Sequence, residues 1–125
     1  MALKELLFSD GHAWVLSEGE TATIGMTEYI QEELGDILLV DLPEVGEKVT
    51  QGDLLGTIGG VETVYELLAP LSGEILEVNE SLRDDPGLAK NDPYGEGWMV
   101  KIRLSDSREL DSLMAAEEYE SMTGR

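Results

Sequence analysis

Short apolar runs, broken every few residues by glycine or acid, dominate the middle of the chain. Residues 47–50, 54–58, 61–68, 74–78 and 98–104 each have strand length. Gly52-Asp53, Gly59-Gly60 and Ser72-Gly73 supply turn chemistry between them, a spacing that predicts a compact all-β centre. Upstream, residues 8–16 read as one strand, 17–20 as a turn and 21–25 as a second strand, giving a hairpin. Residues 37–42 are nearly all apolar, which predicts a strand buried on both faces and ended by Pro43. Segments 45–49 and 71–75 share a faint pattern of turn, glycine, acid and strand, as two interlocking halves would.

Helical signals lie at the flanks. Thr27 is a candidate cap with Glu28 in the first turn, Ile30 and Leu34 share a face, and Gly35 supplies a stop. A short helix is therefore expected near 27–34. Asp106 precedes Glu109 by three residues, the spacing of a capping box, and Leu110, Leu113, Met114 and Tyr119 form an apolar stripe. They predict a C-terminal helix near 106–120. Residues 83–94, with Asp85-Pro86-Gly87 and Asp92-Pro93, read as a long polar loop.

A length of 125 residues suits one domain, 1–125, and an apolar fraction of 42% suits a folded core. Twenty-seven acidic residues against 8 basic ones give a net charge of −19, which repels nucleic acid and anionic membrane. The absence of cysteine excludes disulfides, thiolate zinc sites and thiol nucleophiles. The first residues show no signal-peptide pattern, and no apolar run approaches membrane-spanning length, so a cytoplasmic location is expected.

Little in the composition suggests catalysis or metal binding. His12 is the only histidine, and a packing or surface role beside Trp14 is its simplest reading. The serines and threonines have only this one histidine to activate them, and no nucleophile–base pair is found. Asp84-Asp85 and Glu117-Glu118-Glu120 lack calcium-loop spacing and read as solvated faces. The glycines of segment 56–60 lack the lysine of a phosphate loop. Tyr94 and Trp98 read as packing residues.

The segment from Gly59 to Ile75 carries the most specific signal. A strand runs into an exposed turn and returns through Ala69-Pro70-Leu71-Ser72-Gly73-Glu74-Ile75. With it go His12-Ala13-Trp14, Thr23-Ile24-Gly25-Met26-Thr27-Glu28, Glu33-Leu34-Gly35-Asp36 and Val40-Asp41-Leu42-Pro43-Glu44-Val45-Gly46. Gly52-Asp53, Val78-Asn79, Pro93-Tyr94 and Gly97-Trp98 follow in order. Together, from about Leu3 to Met122, these resemble the H-proteins of the glycine cleavage system, relatives of lipoyl and biotinyl carrier domains.

The resemblance implies a mostly β barrel-sandwich hybrid of the hammerhead type, non-enzymatic, whose hairpin displays a lysine for lipoate. The family pattern at that apex is Glu-Ser-Val-Lys, and this chain has Gly59-Gly60-Val61-Glu62 there, with no lysine between Lys48 and Lys90. The attachment position is thus Glu62, flanked by Gly59, Val61 and Thr63, and lipoate is expected to be absent. Thr63-Val64-Tyr65 are bulkier than the small residues usual after the lysine.

The resemblance further implies docking partners: the aminomethyltransferase, the glycine decarboxylase or the lipoamide dehydrogenase. Glu62, Tyr65 and Glu66 are the candidate contact residues, with Tyr65 either anchoring a partner or shielding the sheet. The protein would then act as scaffold, regulator or competitor. Alternatives are a small-ligand module using the vacated arm cleft, a carrier-like subunit of another redox system, or a decayed paralogue. The intact turn and strand signals speak against decay.

Overall fold

The computed structural model describes residues 6–9, 11–29, 34, 36–61 and 63–123. Ten strands among the described residues carry the architecture: β1 (Leu7–Phe8), β2 (Ala13–Glu18), β3 (Thr21–Met26), β4 (Ile37–Asp41), β5 (Lys48–Val49), β6 (Leu54–Gly60), β7 (Val64–Leu68), β8 (Gly73–Val78), β9 (Val100–Leu104) and β10 (Met114–Ala115). Two one-turn helices, α1 (Ser81–Asp84) and α2 (Leu88–Asn91), precede β9. A 3-10 helix at Ser107–Ser112 precedes β10, and α3 (Ala116–Thr123) follows it.

The strands form two antiparallel sheets. A seven-stranded sheet has the order β10-β1-β2-β3-β9-β8-β5, and a three-stranded sheet has the order β4-β6-β7. Their inner faces share one apolar cluster. Ala13, Val15, Ile24, Ile75, Val100 and Ile102 of the large sheet meet Ile37, Val40, Ile58 and Leu67 of the small one. The mostly β sandwich with a C-terminal helix agrees with the expected fold class.

Several boundaries differ from expectation. The strand expected over 8–16 is two strands, because the chain reverses at Ser9–Ala13. Ser9 N donates to Ala13 O (2.9 Å), and His12 adopts a left-handed φ of 67°. Residues 37–42 form no doubly buried strand: β4 is an edge, with Leu38 64% and Leu39 58% exposed. A register irregularity between Ile37 and Leu39 turns both leucines away from the core.

Gly59 and Gly60 belong to β6, and the reversal falls at 60–63 instead. Gly60 serves close approach: a Cβ there would lie 2.5 Å from Leu34 O and 2.7 Å from Leu34 Cβ. The expected loop at 83–94 contains α1 and α2, pinned by the fully buried Leu82 and Ala89. Of the helix expected at 27–34, residues 28, 29 and 34 are helical; Ile30 and the Gly35 stop lie outside the described residues.

The C-terminal helix begins at Ala116, not near 106. Asp106 does cap, accepting from Arg108 N at 3.0 Å, but only for the 3-10 helix. Glu109 does not close the box. It accepts from Ser72 N (2.7 Å) and Ser72 Oγ (2.8 Å), tying the segment to the start of β8. The chain then extends so that Met114 and Ala115 pair with Phe8 and Leu7.

Candidate functional site

The β6–β7 hairpin is short and firmly anchored. Gly60 N donates to Thr63 O (2.8 Å), closing a four-residue turn, and Val61 N donates to Asp36 O (3.1 Å). Asp36 in turn receives Lys90 Nζ on its carboxylate at 2.6 Å. That ammonium group, by hydrogen bond and by charge, holds the Asp36 carboxyl below the usual aspartate range. The apex is therefore clamped through Asp36 to α2, at the cost of no buried charge.

Glu62 lies outside the described residues. Its neighbours are placed: Val61 is 62% exposed, Thr63 is exposed, and Gly59 sits in β6 opposite both Leu39 and Val64. In antiparallel sheets directly paired residues project to the same face. Leu39, Gly59 and Val64 therefore form one outward row, with bare backbone at its centre. The next outward row is Asp41, Thr57 and Glu66, and beyond it Leu54 pairs with Leu68.

Six of the eight large hydrophobic residues exposed among those described belong to this sheet or its turn: Leu38, Leu39, Leu54, Val61, Val64 and Leu68. Exposed apolar side chains are thus concentrated on one face of the small sheet. Reading the sequence missed Leu38 and Leu39, because a continuous apolar run gives no sign of which side faces water. The alternation Val64-Tyr65-Glu66-Leu67 was legible, and it does place Val64 and Glu66 outside with Leu67 buried.

Tyr65 turns the other way from Val64 and Glu66. It is half-buried, and its hydroxyl donates to Gly11 O at 2.6 Å, joining β7 to the reversal before β2. His12 packs against tyrosines rather than Trp14. Its ring stacks on Tyr29 with centroids 4.2 Å apart, and Nδ1 shares a hydrogen bond with Tyr119 Oη (2.8 Å). Tyr119 Oη also bonds Thr27 Oγ1 at 2.6 Å, and burial pushes the Tyr119 phenol up to about 12. Burial likewise raises Tyr94, against a smaller opposing effect from its contact with Glu28 N. Trp14 faces another way, donating its indole N–H to Pro93 O at 2.8 Å.

Two cavities border this region. One, of about 470 Å³, is lined by Gly11, Leu68, Ala69 and Pro70 among others, at the end of β7. The second, of about 230 Å³, lies between Phe8, residues 27–29, Tyr94 and α3. Among the described residues no three histidine or acidic side chains converge as a metal site would require. No helix among them is long and apolar enough to cross a membrane. The placed hairpin residues flanking Glu62 offer a surface and no acyl-accepting amine of their own.

Comparison with known proteins agrees with this geometry. The family model described as glycine cleavage H-protein matches residues 6–125. A glycine cleavage system H protein of Staphylococcus saprophyticus is 52% identical over 120 residues, covering 96% of this chain and 95% of the relative. That of Staphylococcus haemolyticus is 50% identical over the same length, with the same coverage. A crystal structure of a glycine cleavage system H protein from Mycobacterium marinum superposes with a TM-score of 0.89 at 34% identity, over 98% of each chain. With the hairpin, the two sheets and these relatives in agreement, the chain belongs to the glycine cleavage H-protein family.

Proposed function

We propose that this protein is an H-protein-family body that carries no lipoate and works by docking. The observation that carries the reading is the absence of any lysine between Lys48 and Lys90, a stretch that includes the whole hairpin. Lipoate is attached through an amide, and the acid Glu62 at the family's attachment position has no amine to form one. The reading takes residues 1–125 as a single, non-enzymatic, cytoplasmic domain that binds no metal.

The docking face is the outward side of β4-β6-β7. Leu39 and Val64 flank the bare Gly59, while Asp41 and Glu66 supply the adjacent charged row. An apolar centre beside carboxylates, on a chain of net charge −19, fits a partner surface with a basic rim, which the field would also steer. Glycine-cleavage enzymes are the first partners to try: the aminomethyltransferase, the glycine decarboxylase and the lipoamide dehydrogenase. Toward them the protein acts as scaffold, regulator or competitor. Tyr65, bonded to Gly11, shields the sheet, and Glu62 and Glu66 remain the contact acids.

The test is titration calorimetry of the three purified enzymes against the native protein, repeated with Leu39→Glu/Val64→Glu and at raised salt. Binding to at least one enzyme, weakened by both changes, supports the reading. Failure of all three to bind, or binding indifferent to the double variant, overturns it. The cavity of about 470 Å³ at the end of β7 favours a second reading, a small-ligand module. A low-molecular-weight species retained there through purification would support that one instead.

A further inference from the structure

The smaller cavity has a wall chemistry that the docking reading does not use. Phe8, Tyr29, Tyr94 and Tyr119 supply aromatic surface, and the charged residues lining it are Glu28 and Glu120, both exposed. Among the described residues no lysine, arginine or histidine lines it. None of the described β6–β7 hairpin residues lines it either.

The aromatic walls are held in place. Phe8 and Tyr119 stack with centroids 4.7 Å apart and planes 12° apart. The Tyr119 hydroxyl is fixed by Thr27 at 2.6 Å and by His12 at 2.8 Å. Tyr94 Oη accepts from Glu28 N at 3.4 Å, which sets that ring beside the first of the two acids.

We infer that this cavity binds a small organic ammonium ion. Aromatic faces attract a cation through their quadrupole, and the effect grows when the cation is partly desolvated, as it is in a cavity. Two carboxylates, with no basic side chain in the described lining, add the same preference, and the −19 net charge raises the local concentration of cations. Competing ligand classes fit less well. A divalent metal needs more oxygen ligands than two carboxylates provide. A free amino acid brings a carboxylate for which the described lining offers no positive partner. An anion meets like charge from both acids of the described lining.

The experiment uses choline and its uncharged isostere 3,3-dimethyl-1-butanol, titrated into the native protein at constant ionic strength and followed by amide NMR. Choline should give saturable shifts at Ala116, Tyr119 and Thr123, and the alcohol should bind at least about tenfold more weakly. Glu28→Gln/Glu120→Gln alters two exposed side chains and should weaken choline by about tenfold or more. Equal binding of the two isosteres overturns the inference. So do non-saturating shifts spread over the acidic surface, or unchanged affinity in the double variant. Should that variant fail to fold, the isostere comparison on the native protein decides alone.

Discussion

Restoring the family's apex motif separates the role of each altered residue. A Cβ at Gly59 would meet Leu39 Cβ at 3.4 Å, an ordinary contact, so Gly59→Glu fits. The residues on either side of position 62, Val61 and Thr63, are both exposed, so Glu62→Lys should add no burden. The double variant should therefore unfold within about 0.5 kcal/mol of the parent in urea. Gly60 is different, because its Cβ would lie 2.5 Å from Leu34 O and 2.7 Å from Leu34 Cβ. Both are backbone-bound atoms that cannot swing aside, so adding Gly60→Ser should cost about 1–3 kcal/mol. Each variant is then incubated with lipoate ligase, lipoate and ATP, and its intact mass is measured. Acylation of the double variant, with loss of stability confined to the triple, is the expected result. If the triple variant is as stable as the double, the close approach of Leu34 is not what Gly60 serves. If the double variant stays unmodified, the bulk of Val64 and Tyr65 or the apolar row has closed the surface to the ligase, and the missing amine is not the sole barrier.

Other perturbations probe the framework. The raised Tyr119 phenol gives stability that is present below pH 10 and lost as pH rises from 10 towards 12, worth about 2 kcal/mol. Urea titrations across that range should show the slope, and Tyr119→Phe should reduce it to the part that the raised Tyr94 phenol contributes. Gly25→Ala sets a Cβ 2.6 Å from three atoms of the Trp14 indole, so it should destabilise by about 2 kcal/mol in thermal or urea unfolding. Lys90→Ala removes the cation beside Asp36, and a carbon-detected NMR titration should show the Asp36 midpoint rising towards the ordinary aspartate range.

What the sequence revealed was mostly local. The β2–β3 hairpin was readable because Thr21–Gly25 follows a polar turn containing Gly19, whose φ is 68°. The β8 strand was readable as a short apolar run set off by the Ser72-Gly73 turn, and the hairpin with its missing lysine from motif order. What escaped depends on distant partners. β4 appears buried until its position at a sheet edge is known, and the 3-10 helix wins over a long α-helix because Glu109 is drawn to Ser72 and Met114 to Phe8. The glycines at 59 and 60 suggest a turn, but Gly60 answers to Leu34 and Gly59 opens the row between Leu39 and Val64. The tyrosine cluster was likewise hidden, since His12 and Tyr119 are separated by 107 positions along the chain.

The most direct measurement is the intact mass of the protein purified from its native host under conditions in which lipoate is being attached to other proteins. A single species at the mass of the unmodified chain is the predicted result. A species heavier by one lipoyl group, on any residue, would contradict the account at its root.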